Sequence, residues 1–292
     1  MTEPGYVDLH AHGGGGGSVE DGPEGIRRML EAHRAHGTTR SMLSLVANPL
    51  PFLTTALGVI RELMPEEPQI IGAHLEGPFL APGRRGAHDP RHLVDPDPGA
   101  VEALLDAGAG ALRVVTIAPE LPGALDAIAR FAAAGVVVAV GHTEADAALA
   151  HDAFDAGARL LTHAFNAMPG IAGREPGPLG AALADERVTI EVIADGIHVH
   201  PDNLRWLFAA APGRVAAVTD AMAAAGADDG DYRLGDLEVT VAGGRAVVAG
   251  TGQLAGSTLT LDRAIEVLVA AGVPRADALA SVTTVPSRLL GL

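Results

Sequence analysis

Short apolar, β-branched runs alternate with alanine-rich amphipathic stretches along nearly the whole chain. The runs that predict strands are Tyr6–His10, Arg40–Val46, Ile70–His74, Leu112–Ile117, Val136–Val140, Arg159–Thr162, Val188–Ala194 and Val215–Thr219. Helical periodicity fills the gaps, over Pro23–His36, Phe52–Met64, Pro98–Ala107, Leu121–Ala134, Glu144–Ala156, Leu179–Asp185 and Asn203–Ala210. Several of these stretches close on glycine, as at Gly37, Gly135 and Gly157, the residue that best leaves a helix in the left-handed region. Val136–Val140 is apolar at every position, which suits a parallel strand covered on both faces. Eight such units, without a two-half nucleotide fingerprint, predict an α/β fold: a (β/α)8 barrel of the TIM type.

The rhythm changes after the eighth strand. Residues 231–250 read as a β-hairpin, with Leu237–Val241 and Arg245–Val248 joined at Gly243-Gly244. A helix follows over Leu259–Ala271, and a last helical piece reaches Ser287. Neither an internal repeat nor an interdomain linker is visible. Residues 1–292 are therefore expected to form a single catalytic barrel domain carrying the hairpin as an insertion.

Composition narrows the chemistry. A hydrophobic content of 48% and mean hydropathy of +0.25 describe a well-buried interior. No apolar run is long enough for a transmembrane helix, and Met1–Gly5 lacks the charged and apolar regions of a signal peptide. A cytoplasmic location without membrane partners is the expectation. The chain has no cysteine, which excludes disulfides, thiolate ligands and cysteine nucleophiles. A formal charge of −16 argues against nucleic-acid partners. All 20 basic residues are arginine, so neither a Schiff-base lysine nor a carbamylated lysine bridging two metals is available.

The polar residues then fall in a pattern. Asp8-x-His10-x-His12 lies on the first strand, where positions i and i+2 share a face, followed by Gly13–Gly17. His74-Leu-Glu76 closes the third strand, Gly141-His142-Thr143 the fifth, His163-Ala-Phe-Asn166 the sixth, Asp195-Gly-Ile-His198 the seventh and Thr219-Asp220 the eighth. A packed structural histidine explains any one of these. Such groups ending five or more strands at one mouth are poorly explained by packing. His142, His163 and Glu76 supply three ligands for a divalent metal, and three protein ligands plus an open position is the pattern of a catalytic zinc site. His10 and His12 would support a second ion, with Glu76 as the bridge. Asp220 suits a general base, and His74 is assigned only a structural or supporting role, facing away from Glu76. His33, His36, His92, His151 and His200 are read as surface residues or caps.

The stretches Asp8–Gly13, His74–Phe79, Gly86–Asp89, Gly141–Thr143, Thr162–Met168, Ala194–His198, Val218–Asp220 and Leu254–Ser257 resemble, in order, the N-acetylglucosamine-6-phosphate deacetylases of the amidohydrolase superfamily. The resemblance implies hydrolysis of the acetamide of N-acetylglucosamine 6-phosphate by water activated at one or two divalent ions. Zinc leads, with iron, manganese and cobalt as alternatives. It implies metal ligation by Glu76, His142 and His163, joined by His10, His12 and Asp220 where two ions are held, with Asp220 as catalytic base and then acid. His88 resembles the residue that meets the substrate carbonyl. Asn166, Ala167, His198, Leu254, Ala255 and Gly256 resemble sugar-phosphate contacts. Arg174 resembles a phosphate-binding arginine supplied by a neighbouring subunit, hence an expected homodimer.

Two other readings stay open: an amidohydrolase of another N-acyl or cyclic amide, and a non-catalytic sugar-phosphate-binding remnant. The family normally adds a small β-sandwich domain built from segments flanking the barrel. Here five residues precede the first strand and the chain stops at Leu292, so the barrel is expected to stand without that companion.

Overall fold

The computed structural model describes residues 5–292. Eight parallel strands form one sheet in sequence order: β1 (Tyr6–Ala11), β2 (Thr38–Val46), β3 (Ile70–Glu76), β4 (Leu112–Ile117), β5 (Val137–Val140), β6 (Leu160–Leu161), β7 (Thr189–Ile193) and β8 (Val215–Val218). The seam between β8 and β1 is closed by loop backbone. Asp220 donates its amide hydrogen to the His10 carbonyl at 2.8 Å, His12 donates to the Ala221 carbonyl at 2.8 Å, and Ala11 bridges Ala221 in parallel. Asp8 pins the same seam from inside, accepting from Thr219 Oγ1 at 2.6 Å. The expected (β/α)8 barrel is the fold observed.

Helices α1 (Gly22–Ala35), α2 (Leu50–Leu63), α3 (Pro98–Ala107), α4 (Ala124–Ala133), α5 (Ala147–Ala156), α6 (Gly177–Ala184) and α7 (Pro201–Ala210) link successive strands. Their starts follow local chemistry. Asp97 caps α3 by accepting from Gly99 and Ala100, Asp146 caps α5 by accepting from Leu149, and His200 caps α7 by accepting from Asp202. Between sheet and helices lies one continuous apolar core that includes Leu9, Leu43, Leu75, Val115, Phe131, Phe154 and Ile190. The glycine run after β1 turns back as a two-residue ribbon, Gly13–Gly14 against Gly17–Ser18. A Cβ on Gly13 would lie 2.7 Å from the Ala223 nitrogen and from the Gly17 carbonyl oxygen, so this close approach requires glycine.

The insertion after β8 differs from expectation. It is a three-stranded antiparallel meander, β9 (Gly230–Leu234), β10 (Leu237–Ala242) and β11 (Arg245–Val248), rather than a two-stranded hairpin. Gly230–Leu234 carries alternating exposed positions and little apolar signal, and it becomes a strand by pairing with β10. The meander packs Leu234, Val239, Val241 and Ala246 against Val46 and Met222 at the barrel mouth. After α8 (Leu261–Ala270), the last helical piece is two helices, α9 (Arg275–Ser281) and α10 (Thr284–Leu290). Among the described residues, no helix is long and apolar enough to cross a membrane.

Candidate metal centre

The strand ends deliver the candidate ligands to one mouth of the barrel. His10 is the inward-facing residue near the end of β1, His12 follows one pleat later, and Glu76 is the last residue of β3. His142, His163 and Asp220 lie just beyond β5, β6 and β8 with left-handed backbone, at φ 48°, 23° and 48°. Non-glycine residues hold that conformation only when their surroundings impose it, and such strain concentrates at functional sites. Gly256 packs against the last of these turns: a Cβ there would meet the Asp220 carbonyl oxygen at 2.8 Å.

Glu76 is the hub. Its Oε1 lies 3.0 Å from His142 Nε2 and 2.9 Å from His163 Nε2, and those two nitrogens are 3.0 Å apart. Its Oε2 lies 3.1 Å from His12 Nε2 and 3.4 Å from His10 Nε2. Asp220 Oδ1 completes the second group, 3.3 Å from His12 Nε2 and 3.5 Å from His10 Nε2. Two donor sets, His142/His163/Glu76 and His10/His12/Glu76/Asp220, therefore share one carboxylate. All six side chains are buried.

The electrostatics call for positive charge here. Burial alone would lower the His12 pKa, but hydrogen bonds to Asp220 and Glu76 outweigh it and push it up to about 9. His10 and His163 are raised against the same burial penalty, His10 by the charges of Glu76 and Asp220 and His163 by its hydrogen bond to Glu76 and that carboxylate's charge. Burial pushes Glu76 and Asp220 up, yet the facing histidines hold both below the ordinary carboxylate range. Crowded imidazole nitrogens around shared carboxylate oxygens are the donor chemistry of a divalent cation, which supplies that charge without a proton. The residues present fit one ion or two.

Supporting contacts orient the rings. His142 Nδ1 donates to the Arg84 carbonyl at 2.8 Å, which leaves the Nε2 lone pair facing Glu76. His88 is wired oppositely. Its Nδ1 accepts from the Ala47 amide at 3.1 Å, so the proton sits on Nε2, 3.4 Å from Glu76 Oε2. Burial holds the His88 pKa down to about 4. It is a neutral hydrogen-bond donor facing the centre.

Above the centre opens a cavity of about 340 Å³, lined among others by His12, Glu76, His88, His142, His163, Asn166, Ala167, His198, Asp220, Leu234, Gln253, Leu254 and Gly256. The structure thus gathers the predicted residues, with two exceptions. Ala255 is fully buried beneath the wall, and Arg174 is exposed on the loop 171–176 and is not among the residues that line the cavity. His198 is held by Asp195, whose Oδ2 lies 2.7 Å from its Nδ1.

Two histidine assignments need correction. His74 does not face away from Glu76; positions i and i+2 share the inward face, and His74 lies one layer deeper, 3.0 Å from Ser44 Oγ and 2.9 Å from Thr116 Oγ1. His33 is neither surface nor cap: it is buried, with Nε2 2.9 Å from the Gly13 carbonyl. His92 is only partly exposed, 3.0 Å from Asp236. It forms a third group with Asp89 and Asp236, where Arg91 already supplies the cation and ties the His88 loop to the meander. Sequence reasoning missed Glu191, fully buried in β7; an acid between Ile190 and Val192 was the available signal. It also missed Leu234 and Gln253, whose place on the cavity wall depends on where the meander folds.

A parallel barrel with histidines, a shared carboxylate and an aspartate at its C-terminal mouth defines a metal-dependent hydrolase. The match to the amidohydrolase family spans residues 1–292, and the chain belongs to that family. It is 39% identical to an N-acetylgalactosamine-6-phosphate deacetylase of Escherichia coli O157:H7, over 99% of this chain and 78% of that protein. It is 36% identical to the human N-acetylglucosamine-6-phosphate deacetylase, over 100% of this chain and 75% of that protein. An aspartate-to-alanine variant of the Mycobacterium smegmatis N-acetyl-D-glucosamine-6-phosphate deacetylase, solved with N-acetyl-D-glucosamine-6-phosphate, superposes with a TM-score of 0.94 at 47% identity, covering 99% of this chain and 77% of that one.

Proposed function

We propose that this chain hydrolyses the N-acetyl group of N-acetylglucosamine 6-phosphate to glucosamine 6-phosphate and acetate. The observation that carries this reading is the convergence of two histidine pairs on the two oxygens of Glu76, with Asp220 and His88 facing the same cavity. Likeness over 99–100% of this chain to deacetylases of amino-sugar phosphates supports it. In this reading Glu76, His142 and His163 hold one divalent ion, and His10, His12, Asp220 and the second Glu76 oxygen hold another. Zinc is the ion of choice for such nitrogen and oxygen donors, ahead of iron, manganese and cobalt. A divalent ion bound there supplies Lewis acidity, polarising the acetamide carbonyl and lowering the pKa of water at the site.

The chain's own residues do the rest. Asp220 takes the proton of the attacking water and returns it to the leaving amine as the C–N bond breaks. His88 donates its Nε2 hydrogen to the acetamide oxygen as negative charge develops there. Asn166, Ala167, His198 and the Leu254–Gly256 turn hold the sugar phosphate. Arg174 stands outside its own cavity, so it serves the phosphate of a second copy in a homodimer. A cytoplasmic location belongs to this reading, because a charged sugar phosphate stays in the compartment where it is made.

The likeness to an N-acetylgalactosamine-6-phosphate deacetylase favours a second reading, in which the 4-epimer is the better substrate. Acetate release from both 6-phosphates and from unphosphorylated N-acetylglucosamine tests both. A marked preference for one phosphorylated sugar supports the proposal and names the epimer. Equal turnover of the unphosphorylated sugar overturns the phosphate assignment.

A further inference from the structure

Behind the histidine pair the barrel buries a carboxylate that the chemistry above does not use. Glu191 sits at the centre of β7 with no solvent exposure. Its Oε2 lies 3.3 Å from His10 Nδ1 and accepts from the His163 amide at 3.4 Å. Its Oε1 is buried without a hydrogen-bond partner. A half-satisfied carboxylate in an apolar interior is costly. A strand covered on both faces has no packing need for one.

We propose that Glu191 is a positioning residue for the second cation. By accepting the Nδ1 hydrogen of His10, it fixes the tautomer whose Nε2 lone pair points at Glu76 and Asp220. The inference rests on the reading of His10, His12, Glu76 and Asp220 as a cation site. The other rings make the contrast. His142 is oriented by the Arg84 carbonyl, whereas the Nδ1 atoms of His12 and His163 have no partner. Either acceptor orients the ring; a carboxylate, being charged, makes the far nitrogen the stronger donor. Charge is thus applied at one ligand of the second site and at none of the three that define the first.

The test is E191Q, which keeps the shape and an acceptor for the His163 amide but removes the charge. Metal content is measured on the full chain in zinc-buffered solution, alongside the visible spectrum of the cobalt-loaded form. The wild type is expected to hold two ions. E191Q is expected to hold the first normally and to bind the second roughly 10–100-fold more weakly. In an H10Q background, E191Q should cause no further loss. E191Q binding both ions with wild-type affinity, or weakening metal equally with and without His10, overturns the proposal. A wild type that never exceeds one ion overturns the two-ion reading beneath it, a result visible without any variant. Should E191Q not fold, the zinc-loaded wild type decides by nitrogen NMR. A slowly exchanging, strongly downfield His10 Nδ1 hydrogen supports the proposal, and a solvent-exchanging one overturns it.

Discussion

The Nε2 atoms of His142 and His163 lie 3.0 Å apart. They come from the ends of adjacent strands, and both face Glu76 Oε1. Two imidazole nitrogens this close cannot both carry a hydrogen toward the other, and in the proposed reading a divalent cation would complete the arrangement with the carboxylate. Because Glu76 serves both donor sets, E76Q should empty both sites and lower kcat by more than about 10²-fold, the scale reached by losing a mere supporting partner. Metal analysis and acetate release on the same sample check this. Retention of one full equivalent of metal would contradict the bridging role.

Metal binding must displace protons. His12 titrates at about 9 in the metal-free protein, so below that pH its protonated ring competes with the ion. Apparent metal affinity should therefore rise with pH up to about 9, and proton release should accompany metal uptake at pH 7. Calorimetry in buffers of different ionisation enthalpy measures that release; a pH-independent affinity between 6 and 8 would count against His12 as a ligand.

In the proposed mechanism Asp220 has a role apart from holding metal. D220N should keep the ion bound by Glu76, His142 and His163 but reduce kcat by roughly 10²–10⁴-fold, with little change in KM. Turnover near wild type would remove it from the mechanism.

His88 gives a prediction with a defined pH window. Burial holds its pKa at about 4, whereas the unfolded chain would titrate near 6.5. Between those values the unfolded state binds the extra proton, so this residue costs the metal-free fold stability as pH falls from 6.5 towards 4, by up to about 3 kcal/mol. It costs nothing above 6.5. H88Q should therefore lose less Tm than wild type between pH 7 and 4.5. At pH 7 the same variant should lower kcat by about 10²-fold or more through loss of a donor to the developing oxyanion. An unchanged kcat would exclude that role.

Arg174 should act across subunits. R174A is expected to raise KM for the 6-phosphate by roughly 10–100-fold, the loss of one charge-assisted contact, and to leave the weak turnover of unphosphorylated N-acetylglucosamine unchanged. Mixing R174A with D220N should restore part of the activity if one protomer supplies the arginine and its partner the aspartate. No recovery on mixing would argue against a shared site.

Much of this is legible in the sequence alone, for reasons that differ by residue. Val136–Val140 announced a doubly covered strand by composition alone, and strand ends of the barrel fixed where His142, His163 and Asp220 had to meet. His74 was misjudged because its role depends on depth within the barrel as well as on pleat. β9 was missed because Gly230–Leu234 is held by β10 rather than by its own pattern. The orienting Arg84 carbonyl is backbone chemistry that no side-chain motif encodes, and Glu191 left only the faint mark of an acid among apolar neighbours. Arg174 was legible as a motif, but its absence from the cavity wall is a property of the folded loop.

The central claim is that the Glu76-bridged centre removes acetate from N-acetylglucosamine 6-phosphate. The most direct measurement is acetate release from that compound by chelator-stripped protein as zinc is added back, with bound metal counted at each point. The account predicts no release from the stripped protein and release that rises in step with one to two bound ions per chain. Metal bound to full occupancy with no acetate formed from either 6-phosphate epimer would contradict it.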